Sequence, residues 1–227
     1  LFVTLAHTAI SCTAPKLPNL FIRPQLLYGK DPRFSGQAYG LFPIRGGGYS
    51  EHDDEGQQMN GIPLDFGDGT KVYIPPEAAH GLERAEGLAR LRRNAEMTPA
   101  HYFLALLQPP ESSVRKLLAG ESTSVEDVPS AVEKSLVSII GKLPAQSPAP
   151  KVIAMSDRLR LVFERAVSLS RAATPRFRTV DTEILMGDLI VALSEDSHVQ
   201  SSLNAANFPV KRLQQAAAAR SAERRRA

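Results

Sequence analysis

The uncharged run MTPAHYFLALL at residues 97–107 contains a histidine, His101, whose imidazole could transfer protons. A histidine acts as a general base when an acid orients it and when a serine or cysteine nucleophile lies beside it. No such nucleophile and acid are evident around His101 in the sequence. We therefore predict a core histidine that is hydrogen-bonded to backbone, because a buried polar group needs a partner.

Two other groups of residues could bind a metal ion in principle. The run EHDDE at residues 51–55 places carboxylates around a histidine, but no second cluster completes a coordination shell, so a solvated loop is the favoured interpretation. Cys12 is the one cysteine of the chain, so it cannot form an internal disulfide, and no His or Cys lies at metal-ligand spacing from it. We predict no metal and no cofactor.

The stretch GIPLDFGDGTK at residues 61–71 combines glycines with a lysine, as phosphate-binding loops do. It lacks the order G-x-x-x-x-G-K-[ST], so it cannot wrap phosphates in the Walker manner. We therefore predict that the chain binds no ATP and is not an enzyme. Asp68-Gly69 instead lies between two short β-prone runs, which predicts a β-hairpin.

The composition is that of a globular protein: 227 residues, 43% hydrophobic and 22% charged. The net charge of +3 is too small to argue for a nucleic-acid partner. No apolar run reaches the roughly 20 residues that span a bilayer, so the chain is expected to be soluble or peripheral to a membrane. The first residues, LFVTLAHTAISCTA, are either a targeting remnant or a structural segment.

Periodic helices begin after residue 76. EAAHGLERAEGLARLRRNA repeats its apolar residues every three to four positions, which indicates an amphipathic helix. Thr98 is the expected N-cap of a second helix whose first turn holds Pro99. The run SSVRKLLA predicts a third helix with Gly120 as its C-cap, and VEDVPSAVEKSLVSIIGKL predicts a fourth.

The second half repeats this order after a Pro-rich linker at 144–151. SDRLRLVFERAVSLSRAA, with Ser156 as N-cap, is followed by VDTEILMGDLIVAL, SEDSHVQSSLNAA and PVKRLQQAAAAR. Pairing Ala85 with Ala166, Leu106 with Leu189 and Leu118 with Leu203 indicates an internal duplication. We predict an all-α fold with two four-helix repeats, at 77–143 and 152–220. They follow an extended arm at 1–76 that contains the hairpin and precede a basic tail at 221–227.

This arrangement resembles the N-terminal domain of Clp chaperones, in the stretches TPAHYFLALL and DTEILMGDLI and over about residues 77–216. In the second copy Ile184 replaces the histidine-like position, and Gly187 and Asp188 interrupt the apolar run, so packing there is expected to be looser or to face a partner. The resemblance implies a domain that binds substrates and adaptors. Free-standing chains of this kind resemble plastid Clp accessory subunits, so a non-catalytic accessory or adaptor role in a plastid Clp protease system is expected.

The arm suggests a second role. Its large apolar side chains cannot be buried on a segment so rich in Pro and Gly, so they are predicted to contact other subunits of a stable assembly: Phe21, Leu26, Leu27, Tyr28, Phe34, Tyr39 and Phe42. The alternative function is therefore a structural subunit of a large organellar assembly, such as a photosystem. Because the arm should share little of one core with the helices, residues 77–216 are expected to fold alone.

The basic tail carries three further candidate residues, Arg224, Arg225 and Arg226. The simplest interpretation is that they complement the dipole at a helix C-terminus. The functional alternative is contact with an acidic partner or, peripherally, with an anionic membrane surface.

Overall fold

The computed structural model describes residues 61–65, 71–122, 127–173 and 182–226. Its first half contains the strands β1 (Ile62–Asp65), β2 (Lys71–Ile74) and β3 (Glu96–Met97). The helices of this half are α1 (Pro76–Leu91), α2 (Pro99–Leu107), α3 (Ser113–Glu121) and α4 (Val128–Gly141).

The second half repeats the pattern. Strands β4 (Ala154–Met155) and β5 (Thr182–Glu183) flank α5 (Asp157–Ala173), and the helices α6 (Met186–Ser194), α7 (Ser197–Ala205) and α8 (Val210–Arg226) follow. The predicted all-α class with two four-helix repeats is confirmed. The two-residue strands β3, β4 and β5 were not predicted.

Local sequence signals explain most of the helix boundaries. Thr98 is the N-cap of α2 and Pro99 its first residue, as predicted. The hydroxyl of Ser156 accepts a hydrogen bond from the backbone N–H of Leu159 at 3.2 Å, which caps the start of α5 as predicted. The predicted C-cap of α3 at Gly120 is wrong, because the helix continues through Glu121 and its C-cap is Ser122.

Strands from the two halves of the chain pair with each other. Strand β3 of the first repeat pairs in parallel with β4, through Glu96 and Ala154. Strand β5 of the second repeat pairs in parallel with β2, through Thr182 and Val72. The two halves of the chain are therefore joined by two small sheets, one at each end of α1 and α5.

The predicted hairpin is confirmed: β1 and β2 pair antiparallel, with Leu64 opposite Val72. Its turn lies outside the described residues. Leu64, Val72 and Ile74 are all buried in the same core cluster as the helices. The expectation that the arm shares little of this core is therefore wrong for the hairpin, because its alternate side chains point into the helical core.

Helix α2 lies at the centre of the core, and all nine of its residues are buried. The hydroxyl of Tyr102 donates a hydrogen bond to the backbone oxygen of Ala78 at 3.0 Å, which satisfies the phenol inside the core. Its ring lies 5.5 Å from that of Phe163 on α5, measured between ring centres. Helix α2 thus contacts the first helix of each repeat.

Helix α6 is the counterpart of α2, and its start corrects the predicted correspondence. Counted from the two helix starts, Leu193 lies at the position of Leu106, and Asp188 lies at the position of His101. Ile184 precedes the helix and is fully buried. The predicted pairing of Leu106 with Leu189 is therefore wrong, and so is the assignment of Ile184 to the histidine-like position.

The packing around Gly187 is tight. A Cβ atom built on Gly187 would lie 2.2 Å from the backbone oxygen of Ala217 and 2.3 Å from the hydroxyl oxygen of Ser221. Only a residue without a side chain lets α6 and α8 approach so closely. The expectation of looser packing in the second copy is wrong.

Candidate functional site

His101 is fully buried, and both of its ring nitrogens are hydrogen-bonded. Nδ1 accepts from the backbone N–H of Thr98 at 3.2 Å, and the Thr98 hydroxyl lies 2.9 Å from the same nitrogen. Nε2 lies 3.0 Å from Oδ1 of Asn94. Because Nδ1 accepts from a backbone N–H, this network assigns the proton to Nε2.

The environment of His101 keeps the imidazole neutral. Burial lowers the pKa of His101 to about 4, because the charged form would lose its hydration. Asn94 in turn donates from Nδ2 to the backbone oxygen of Pro144 at 3.1 Å, so the network reaches the Pro-rich linker. The predicted core histidine is confirmed, and its hydrogen bonds join α2 to the connection after α1 and, through Asn94, to the linker.

The described surface contains a shallow groove of about 310 Å³ between α5 and the connection from α6 to α7. Its floor is apolar, because Val162 and Ala192 are buried beneath it. Its walls are formed by charged side chains of α5 and of the α6–α7 connection, together with Leu161 and Ser197.

Two ion pairs cross this groove. Arg158 donates from Nη2 to Oδ2 of Asp196 at 2.6 Å and to the Ser197 hydroxyl at 2.8 Å. Arg165 makes a two-pronged contact with Glu195, from Nε to Oε2 at 3.0 Å and from Nη2 to Oε1 at 3.1 Å. The hydrogen bond and charge of Glu195 raise the pKa of Arg165. The pairs fix the two ends of the groove.

Asp196 is held by two sets of contacts. Its Oδ1 accepts from the backbone N–H groups of His198 at 2.9 Å and Val199 at 3.3 Å, which caps α7. Its Oδ2 accepts from Arg158. The wall of the groove is therefore also the start of a helix, and it is held rigidly.

Leu161 lies between the two ion pairs and is 57% exposed. It comes three residues after Arg158 and four before Arg165, so the three side chains share one face of α5. An exposed leucine between fixed charge pairs offers an apolar contact point with a polar border.

The first repeat does not present the same surface. By position in the helix, Glu77 stands where Arg158 stands and accepts from the backbone N–H of Ser113 at 2.7 Å and from its hydroxyl at 2.6 Å. The exposed His80 stands where Leu161 stands. The exposed leucine is therefore specific to the second repeat.

Sequence reasoning missed this groove. The signal was available in α5, where Leu161 falls off the apolar stripe formed by Leu159, Val162, Phe163 and Ala166 and lies between charged residues. An apolar residue on the polar face of an amphipathic helix is a candidate contact residue.

The predicted partner-binding residues fall into two groups. The seven apolar residues of the arm, from Phe21 to Phe42, lie outside the described residues, as do the acidic run 51–55 and Cys12. Arg224, Arg225 and Arg226 form the last turn of α8, which continues to residue 226 without a break. Arg224 and Arg226 are exposed, whereas Arg225 pairs with the buried Asp188.

Within the described ranges, no group of three or more His, Cys, Asp or Glu side chains is placed to hold a metal ion. None of the described helices is both long enough and apolar enough to cross a membrane.

A protein-family model, the Clp repeat (R) N-terminal domain, matches residues 76–206, more than half of the chain. Over 155 residues the chain is 26% identical to heat shock protein hsp98 of Neurospora crassa. That alignment covers 63% of this chain and 16% of hsp98, so the chain spans only a small part of that relative.

Two solved structures match parts of this chain. The N-terminal domain of Hsp104 from Candida albicans matches with a TM-score of 0.50 and 20% identity, covering 62% of this chain and 85% of that one. The N-terminal domain of the ClpV1 ATPase from E. coli matches with a TM-score of 0.48 and 21% identity, covering 63% and 82% of the two chains.

Proposed function

Because this chain belongs to the Clp repeat N-terminal domain family, we propose that it is a non-catalytic domain that binds segments of other polypeptides. The family resemblance implies binding of substrates or adaptors. The groove between α5 and the α6–α7 connection supports a specific place for that binding. The observation that supports this binding place is Leu161, which is exposed between the ion pairs Arg158–Asp196 and Arg165–Glu195.

This arrangement has the composition of a small protein interface. Interfaces commonly place apolar side chains at the centre and polar groups at the border, where the charges limit which sequences fit. Covering an exposed leucine contributes about 25 cal/mol for each Å² of apolar surface removed from water. An apolar side chain of the partner would lie on Leu161, flanked by the two ion pairs.

The test is a screen of an immobilised random peptide library with the full chain, followed by affinity measurements on the peptides that bind. Leu161→Ser should weaken these peptides at least about tenfold, the equivalent of losing about 1.4 kcal/mol. Leu91→Ser is the matched control, because Leu91 is 77% exposed at the end of α1, outside the groove. Equal weakening by both variants, or no effect of Leu161→Ser, would refute the groove as the site.

The proposal includes no catalytic step. The proposal of a non-catalytic domain is supported by His101, because its ring is buried, neutral and hydrogen-bonded at both nitrogens. Calorimetric titration with Mg-ATP should give no heat of binding. Micromolar binding would contradict the proposal.

A finer version of the proposal assigns the domain to a Clp protease system of a plastid, on the basis of the resemblance to plastid accessory subunits. Purification through a tag, followed by mass spectrometry, tests it. Subunits of a Clp protease and plastid proteins would support the assignment. Subunits of a photosynthetic membrane complex without protease would favour the structural role, for which the seven arm residues remain the predicted contacts.

A further inference from the structure

Among the cationic side chains of α8, Lys211 is exposed in the first turn, and the five arginines divide into two classes. Arg212 pairs with Glu121 at 3.0 Å, and Arg225 pairs with the buried Asp188, so both are neutralised within the fold. Arg220, Arg224 and Arg226 are exposed and have no acceptor within the described part of the chain.

These three arginines lie in the last two turns of α8, and we call them the cationic end of α8. They lie within seven residues, roughly 9 Å along the helix axis at about 1.5 Å for each residue, with Arg220 and Arg224 on one face of the helix and Arg226 on another. Glu223 is the one acidic residue between them in sequence. Their guanidinium groups therefore lie on the surface with most of their charge uncompensated.

The helix end that carries them is held in place. The Arg225–Asp188 pair ties the last turn of α8 to the first turn of α6. About two turns earlier in α8, the close approach of Gly187 to Ala217 brings the two helices together at backbone distance. Because the backbone of this helix end is held, binding a partner does not require the backbone there to be ordered.

We propose that the cationic end of α8 binds an acidic segment of a partner polypeptide. Carboxylates are the complementary groups, because a guanidinium can donate two parallel hydrogen bonds to one carboxylate. This surface is separate from the groove, which lies at the other end of α6, and it does not depend on the groove being a binding site.

The surrounding surface favours an acidic polypeptide over an anionic membrane. A membrane-binding helix inserts large apolar side chains beside its cations. The neighbours of the arginines in the last turns of α8 are Ala218, Ala219, Ala222 and Glu223, none of which offers such an anchor.

The same surface is poorly suited to nucleic acid. Nucleic-acid sites commonly combine several cations along the backbone with aromatic side chains that stack on bases. The large apolar side chains that are exposed in the described part of the chain are leucines and valines, without an aromatic ring among them.

The test measures fluorescence anisotropy of a labelled poly-glutamate peptide with the full chain at low salt. Substituting Gln at Arg220, Arg224 and Arg226 together should weaken binding roughly tenfold or more, since exposed ion pairs sum to about that effect. The matched control substitutes Gln at Arg92, Lys142 and Lys151, which are exposed elsewhere and remove the same charge. The control should change affinity less than about twofold, and added salt should weaken the wild type.

Three outcomes would overturn the proposal. Equal weakening by both triple variants would show an effect of net charge alone. Tighter binding to phosphatidylserine vesicles or duplex DNA than to poly-glutamate, lost in the same arginine variant, would assign the surface to another class of ligand. Absence of poly-glutamate binding at low salt would exclude the site. Circular dichroism on each variant confirms that the fold is retained.

Discussion

Asp188 of α6 and Arg225 of α8 form an ion pair that joins the first turn of one helix to the last turn of the other. The carboxylate also accepts a hydrogen bond from the Ser170 hydroxyl of α5 at 2.6 Å. One buried acid therefore connects three helices. It occupies the position that His101 occupies in α2, so each repeat places a buried polar residue in the same turn and satisfies it differently.

Replacing Arg225 should destabilise the fold, because the buried carboxylate of Asp188 would lose its charged partner. We expect Arg225→Gln to lower the free energy of unfolding by about 2 kcal/mol, less than for a fully buried pair because Arg225 is partly exposed. Arg224→Gln, one residue away and exposed, should change it by less than about 0.5 kcal/mol. Urea unfolding followed by circular dichroism measures both, and equal stability of the two variants would contradict the role of the pair.

A methyl group at Gly187 should separate α6 from α8. A Cβ there would overlap a backbone oxygen that cannot move aside without shifting the helix, so Gly187→Ala should cost at least about 2 kcal/mol. Gly87→Ala is the control, because nothing lies within 4 Å of a Cβ in the middle of α1. That change should stabilise the protein by about 0.5–1 kcal/mol, since alanine restricts the unfolded chain. Thermal melts of both variants test these two expected changes in stability.

The sequence predicted the helices well, because their signals are local. Thr98 and Pro99 mark the start of α2 within two residues, and Ser156 does the same for α5. The strand pairs that join the two halves of the chain could not be predicted in this way. Each β3–β4 or β2–β5 pair is two residues long and joins segments far apart in sequence, so neither carries a period or a turn signal.

The candidate surfaces were predictable only in part. Arg224 and Arg226 were identified from the charge run, but no pattern in the sequence separates them from Arg225, which turns inward to Asp188. From the sequence, Asp188 was interpreted only as an interruption of an apolar run. Pairing between residues 37 positions apart depends on how α6 packs against α8, and that information is absent from either helix alone.

Truncation tests whether the hairpin belongs to the helical domain. A fragment of residues 61–226 should unfold in one cooperative transition, because it keeps the core residues of β1 and β2. A fragment of residues 77–216 loses Leu64, Val72, Ile74 and Arg225, so we expect a broad melt or a much lower melting temperature. Similar cooperative melts for both fragments would show that the hairpin is dispensable, as the sequence alone had indicated.

The stability of the folded protein should depend on pH through His101. His101 has a pKa of about 4 in the folded protein, below the value of about 6.5 expected in the unfolded chain. Below pH 6.5 the unfolded state therefore binds a proton that the folded state refuses, so the stability that comes from His101 is present above about pH 6.5 and is lost as the pH falls toward 4.

The free energy of unfolding lost through His101 amounts to about 3 kcal/mol between neutral pH and pH 4. Measured by urea unfolding across this range, wild type should lose more stability than His101→Gln, although the variant starts lower because its hydrogen bonds to Thr98 and Asn94 are altered. His80→Gln, at an exposed position of α1, should follow the wild-type curve. Carboxylates that also titrate in this range contribute to all three proteins and cancel in the comparison. Parallel curves for wild type and His101→Gln would show that the buried imidazole does not resist protonation.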